Sequence, residues 1–209
     1  MNTRLLSHPL LIVPGLGGSG PGHWQTHWSE RFEGAQQVVQ ENWDRPDLCA
    51  WLARLHDVVD KAPDAILVGH SLGCVLIAHL AQADPHARVA GAFLVAPADV
   101  ERCTGLPDCL EAFGPVPRAR LPFPSMTVAS TNDPYMEIGR AEAFARSWGS
   151  QFRNVGERGH INIAAGFGPW PEGEQILSEL FRLIDADGSA TAAKPFPHQK
   201  SSNEFPLTR

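Results

Sequence analysis

The sequence lacks an excess of positive charge. Seventeen lysines and arginines stand against 23 aspartates and glutamates, a formal net charge of −6 over 209 residues. Nucleic-acid binding wants a basic face, so no nucleic-acid partner is expected. The chain also lacks a long apolar run: none reaches bilayer-spanning length, and no membrane partner is expected. Its first stretch, MNTRLLSHPLLIVPG, has one arginine, a short apolar segment and no small-residue cleavage site. LLIV reads better as a first strand than as a signal core, and the expected location is cytoplasmic. Cysteine is sparse. Cys49, Cys74, Cys103 and Cys109 form no C-x-x-C. Cys103 and Cys109 are near enough for a bridge or a shared metal, yet no partner ligands sit beside them, so reduced thiols are expected. There is no H-E-x-x-H and no internal repeat. His23 and His27, four residues apart on a helix beginning near Gly22 to Trp24, permit a metal pair, but no third ligand is offered. Neither metal nor cofactor is expected.

What is present is an ordinary globular composition, 43% hydrophobic and 19% charged, long enough for one domain with a substantial core. Six apolar runs predict strands: 10–13, 37–40, 65–68, 89–95, 126–130 and 151–155. Helical patterns fall between several of them, at 47–60, 71–83 and 138–148, with a last one at 173–186. This alternation predicts an α/β fold, a mostly parallel sheet covered on both faces. AILV and FLV are continuous apolar runs, as strands buried on both faces should be. Residues 1–186 form the expected domain. Residues 187–209 change to Ser, Ala and Pro without a period and are expected to be a flexible or loosely docked tail. Segment 99–124, with five prolines, is the longest irregular region; it could hold a short helix around Cys109 to Phe113, and is too short for a large lid domain.

The strongest local signal is AILVGHSLGCVLIAHLAQA. Gly69, Ser71 and Gly73 make G-x-S-x-G between an apolar strand and an apolar-periodic helix, the setting of a nucleophile elbow. Glycines on either side allow strand and helix to approach closely, and the helix N-terminus favours developing negative charge. The bland alternative is a serine that only caps the helix. A serine hydroxyl needs a base, and here the acid and base should follow in the order Ser, Asp/Glu, His. Asp133 follows the fifth strand and His160 the sixth, so both fall at the carboxyl edge of the sheet with Ser71. Asp133 could instead be an Asx turn in N-D-P, and His160 a buried, satisfied histidine. Asp99 is the fallback acid and Glu137 a weaker one. His70, adjacent to the serine, is expected to point elsewhere, and His79 lies within a helix.

Gly15, Gly17 and Gly20 satisfy G-x-G-x-x-G, with Glu41 placed where a dinucleotide fold would meet a ribose. Pro14 and Pro21-Gly22 oppose that reading, because they interrupt the strand-to-helix passage that holds a pyrophosphate. In a hydrolase the same loop supplies a backbone N–H to an oxyanion. The expected donors are Leu16, and Leu72 after the nucleophile.

G-H-S-L-G at 69–73, T-N-D-P at 131–134, E-N-W-D-R-P-D at 41–47 and G-H-I-N-I-A-A-G-F-G-P-W-P-E-G at 159–173 resemble the retinoblastoma-binding-protein-9 / YdeN-like serine hydrolase family of small α/β-hydrolases. The resemblance covers about residues 10–185. It implies Ser71 as nucleophile, Asp133 as acid, His160 as base, a compact α/β-hydrolase fold without a large cap domain, and sheet order 2-1-3-4-5-6. The L-x-C-x-E motif linked to retinoblastoma-protein binding in that family does not occur in this sequence, so that partner is not carried over. Trp24, Trp43 and Trp170 could line a substrate cleft or simply pack. An aromatic, little-capped cleft would suit a small apolar acyl group. The expected partner is a small-molecule ester or amide, with ester hydrolysis the expected activity. An aminopeptidase-like amide hydrolase and a non-catalytic binding protein on a hydrolase scaffold are the alternatives, and the oligomeric state stays open.

Overall fold

The computed structural model describes residues 8–102 and 107–192, with side chains through 187. Six strands, β1 Leu10–Val13, β2 Gln36–Gln37, β3 Ala65–His70, β4 Val89–Val95, β5 Ser125–Ala129 and β6 Gln151–Asn154, form one sheet in the order β2-β1-β3-β4-β5-β6. Every pairing is parallel. Five α-helices connect and cover them: α1 Trp24–Arg31, α2 Leu48–Lys61, α3 Leu72–Ala83, α4 Ile138–Trp148 and α5 Pro171–Ala192.

The period-2 geometry of the strands divides the core into two layers. Leu11, Val13, Leu67, Ala92 and Leu94 face one side and pack with Trp51 and Leu55 of α2, Leu76 of α3, and Phe144 and Trp148 of α4. Leu10, Ile12, Ile66, Val68, Phe93 and Val95 face the other side, where they meet Trp24 and Trp28 of α1 and Leu177 and Leu180 of α5. The helices start and stop where side-chain chemistry allows. Asp47 caps α2 by accepting from Ala50 N at 2.8 Å, and the left-handed Gly149, at φ +66°, ends α4. Pro171 opens α5, with Glu172 and Glu174 in its first turn, as the unpaired N–H groups and the dipole there favour.

Three differences from the sequence expectation have physical reasons. The second strand pairs only at Gln36–Gln37, with one further bond from Val38 N to Ile12 O. It lies at the sheet edge, and Val39 beyond it is 57% exposed. β3 runs on through Gly69 and His70, which pair with Leu94 and Val95, so strand pairing carries right up to the serine. α5 continues past residue 186, the expected end of the domain, to Ala192; residues 193–209 of the expected tail lie outside the described residues. In segment 99–124 the short helix is a 3-10 turn at Asp108–Phe113. Cys49, Cys74 and Cys109 are free thiols, and Cys103 lies outside the described residues.

Candidate active site

Ser71 stands between β3 and α3 with φ +55° and ψ −121°. A non-glycine residue held there costs about 1–3 kcal/mol and persists only where its surroundings over-determine it. The surroundings are tight. A Cβ on Gly73 would lie 2.1 Å from Val13 O, and one on Gly15 would lie 2.9 Å from Ser71 Cβ. The end of β1 therefore presses against the first turn of α3, and only glycine permits it. Ser71 N donates to Val95 O at 3.0 Å, while its hydroxyl makes no capping bond to α3. The bland capping alternative is thus not how this serine is used.

The hydroxyl instead meets His160, whose Nε2 lies 2.8 Å from Ser71 Oγ. On the other side of the ring, Nδ1 lies 2.9 and 3.0 Å from the two oxygens of Asp133. An ionised carboxylate only accepts, so Nδ1 carries the proton and Nε2 presents a lone pair to the serine. The side chains of His160 and Asp133 are 7% and 2% exposed. The Asp133 oxygen also accepts from Tyr135 N at 2.9 Å, which is the Asx turn expected from N-D-P. The turn and the histidine contact coexist.

Two residues that the sequence reading did not single out as site residues join the Asp133 loop to the His160 loop. Asn132 Oδ1 accepts from Ser130 Oγ at 2.8 Å and from Gly159 N at 2.6 Å. Ser130 Oγ in turn accepts from Arg158 N. The only sequence signal was their place in S-T-N-D-P beside Asp133.

The other expectations sort themselves by position. Asp99 does not face His160. Arg140 donates to both Asp99 carboxylate oxygens, and Asp99 Oδ1 also accepts from Glu101 N and Arg102 N, so Asp99 is fully engaged there. It is no fallback acid. Glu137 is the residue before α4. His79 Nε2 reaches Phe113 O at 2.9 Å. His23 is turned to capping α1, its Nδ1 accepting from Gln25 N, and among the described residues no group of three metal-ligating side chains occurs. His70 points elsewhere than to the Ser71 hydroxyl, as expected, yet it reaches the backbone of His160. Its Nε2 lies 2.9 Å from His160 O, and the two imidazole centroids are 4.9 Å apart. Burial, with His160 and His23 alongside, holds His70 well below the usual histidine range. Burial, reinforced by His160 and His27, lowers His23 to about 4. These two imidazoles alongside His160 are therefore neutral at neutral pH.

The glycine loop is not built for a pyrophosphate. Gly17 N and Gly18 N donate to Trp43 O and Gly15 O, and α1 starts only at Trp24. Leu16 lies just before these two engaged amides, between Gly15 and Gly17. Leu72 is the first residue of α3, so its N–H has no partner within the helix. A Cβ on Gly15 would be 3.0 Å from Leu72 N, which sets the loop directly against the turn that carries Leu72.

The tryptophans need a correction. Trp24 is fully buried and Trp170 nearly so. Trp170 stacks on Trp28 and Trp24 meets both edge-on, because the indoles fill the layer between the strands and α5. Trp24 forms no cleft wall, whereas Trp170 contributes to the lining of a depression of about 530 Å³ together with Asn132, Gly159 and Phe167. Trp43 is half-buried. It covers Gly18 and meets Trp51 edge-on, so it stays beside the glycine loop. The exposed aromatic at the site is Tyr135, whose ring centroid is 4.7 Å from that of His160. A depression of about 420 Å³ beside Asp133 is lined by Arg102, Thr131, Tyr135 and Met136 among others.

Comparison with known proteins agrees with this architecture. A family model described as serine hydrolase matches residues 10–179. A protein from Pectobacterium atrosepticum named as a YdeN-like hydrolase is 37% identical, with 84% of this chain and 91% of that one covered and a TM-score of 0.75. The ydeN gene product of B. subtilis is 22% identical, over 84% of this chain and all of that one, with a TM-score of 0.67. MGS-MChE2, an alpha/beta hydrolase from a lagoon-sediment metagenome, is 16% identical over 85% and 92%, with a TM-score of 0.64. The last two likenesses establish the α/β-hydrolase fold alone. No curated protein matches the chain.

Proposed function

This chain belongs to the serine hydrolase family, and on that premise we propose that it cleaves a small carboxylic ester through a covalent acyl-enzyme. The carrying observation is the 2.8 Å approach of His160 Nε2 to Ser71 Oγ, with Nδ1 held on Asp133. As Ser71 Oγ attacks the carbonyl carbon, its proton passes to His160 Nε2. Asp133 keeps the imidazole in the accepting tautomer and stabilises the imidazolium that forms. The carbonyl oxygen gains negative charge and is met by the Leu16 and Leu72 N–H groups. Losing one such donor costs about 3–4 kcal/mol. The imidazolium then protonates the leaving alcohol, and the acyl group stays on Ser71. In the second half, water gives a proton to His160 while its oxygen attacks the acyl carbon, and Ser71 leaves with the proton restored.

The test is a panel of short-chain esters and aminoacyl amides with a fluorophosphonate probe as control. The expected result is ester turnover and probe labelling of the native chain, both lost in Ser71→Ala and His160→Ala. Faster turnover of the amides would replace the ester reading with amide hydrolysis. A labelled chain inert towards the whole panel would favour the binding-scaffold reading. Labelling of Ser71→Ala equal to that of the native chain would remove the serine assignment altogether.

A further inference from the structure

The turn that carries His160 is strained and held from below. Ile161, next to the base, has φ +49°, a left-handed conformation that a β-branched residue adopts only under external restraint. Two buried side chains supply that restraint by donating to consecutive backbone carbonyls. His70 Nε2–H reaches His160 O at 2.9 Å, and Trp24 Nε1–H reaches Ile161 O at 2.9 Å. Both donors are shielded from water, with Trp24 at 0% and His70 at 5% exposure, and their rings meet edge-on at 5.9 Å.

Given the proposed roles of Ser71 and His160, we infer that Trp24 and His70 are positioning residues for the base: together they grip the 160–161 turn so that one imidazole edge faces Ser71 and the other Asp133. Neither touches the reacting atoms. Their positions on the chain explain why they can act together. His70 is the residue before Ser71, so the element that sets the nucleophile also sets the base. Trp24 opens α1 immediately after the glycine loop. The next residue, Gln25, ties that loop to the sheet, with Nε2 donating to Val68 O at 2.9 Å and Oε1 accepting from Ser19 Oγ at 2.6 Å. Nucleophile, loop donor and base therefore share one buried scaffold of hydrogen bonds. The chemistry of His70 fits the task. Burial keeps it neutral, so its single ring proton is available for the His160 carbonyl, and it places no positive charge beside the imidazolium that forms during catalysis.

The experiment compares His70→Phe, Trp24→Phe and His70→Gln with the native chain. Each Phe variant keeps an aromatic ring in the core and removes the donor; Gln restores an N–H at about the reach of Nε2. The readouts are kcat and KM on an ester, the fluorophosphonate rate constant per labelled site, and the acid limb of the kcat/KM profile. Loss of one buried hydrogen bond to the turn should lower kcat and the labelling rate constant about tenfold with KM unchanged. The acid limb should shift, and His70→Gln should recover most of the loss. Rates are taken per labelled site, so a smaller folded fraction does not mimic the effect. Phe variants with native rate constants and an unmoved acid limb would overturn the inference, even if their Tm fell. Ser71→Ala is run alongside: if it stays unlabelled while the Phe variants behave as native, only the positioning role fails, and if it labels, the serine reading itself fails.

Discussion

His160 Nε2 lies 2.8 Å from Ser71 Oγ across 89 residues of sequence. The distance is set by two strand ends, β3 before the serine and β6 before the base loop, brought to the same edge of one parallel sheet. Parallel strands all end on one side, so side chains remote in sequence converge there.

The Asp133–His160 contact predicts a tautomer effect. Asp133→Asn keeps shape and volume but offers an N–H where a carboxylate oxygen stood. The imidazole proton then moves to Nε2, and the serine faces a donor instead of a base. A fall in kcat of about 10³–10⁴ with KM little changed is expected. Steady-state kinetics on the best ester of the panel measure it, and a fall of less than tenfold would contradict the role given to Asp133.

The close approach of β1 to α3 predicts a sharp contrast between two glycines. A Cβ on Gly73 would sit 2.1 Å from Val13 O, whereas one on Gly20 meets nothing within 4 Å. Gly73→Ala should cost about 3 kcal/mol or more of stability, with loss of labelling. Gly20→Ala should leave both near native. Thermal melts and probe labelling of the two variants check this.

Much of the scaffold was legible in the chain. The runs at 10–13 and 89–95 are strands at those bounds, because continuous apolar segments of that length fit a sheet covered on both faces. The helix at 138–148 is likewise where its period places it. That Ser71, Asp133 and His160 would come together was legible because strand–turn–helix order and the positions of strand ends carry geometry. The rest depends on what meets what across the fold. Whether Trp24 lines a cleft or lies under the sheet turns on packing against Trp28 and Trp170. The contact of His70 with the His160 backbone was hidden for a related reason. Alternation along β3 sends His70 away from the face where Ser71 emerges, but the chain after β6 folds back beneath that face and brings the His160 carbonyl to it. Neither contact has a sequence period. The pairing of Asp99 with Arg140 was equally silent, since nothing in D-V-E-R announces a partner 41 residues on.

That pair predicts asymmetry on mutation. The Asp99 side chain is 3% exposed and that of Arg140 13%. Removing one partner leaves a buried charge alone, so Arg140→Met should lose about 3–5 kcal/mol. The double variant Asp99→Leu with Arg140→Met should recover a large part, because no unpaired charge is left between them and Glu101, which also binds Arg140, keeps Arg118. Chemical denaturation of both variants measures the difference, and equal loss in the two would contradict it.

The neutral histidines predict a pH-dependent stability. His23 is lowered from 6.5 to about 4, so the unfolded chain binds its proton more readily than the folded one. Its contribution is complete above about pH 6.5 and is lost progressively as the pH falls towards 4, about 3 kcal/mol at most. His70 acts in the same direction. His23→Asn retains an oxygen that can accept from Gln25 N and removes the titrating group, so its Tm should fall less steeply across this window. A native Tm that stays level from pH 6.5 to 4 would contradict the prediction.

The most direct test of the account is rapid mixing with p-nitrophenyl acetate followed by intact-mass and peptide analysis of the acid-quenched protein. A burst of about one equivalent of nitrophenolate per chain is expected, with a single acetyl group located on Ser71 and absent in Ser71→Ala. Turnover without a burst at any pH and without an acyl group on Ser71, or an acetyl group found only on other residues, would contradict the covalent mechanism.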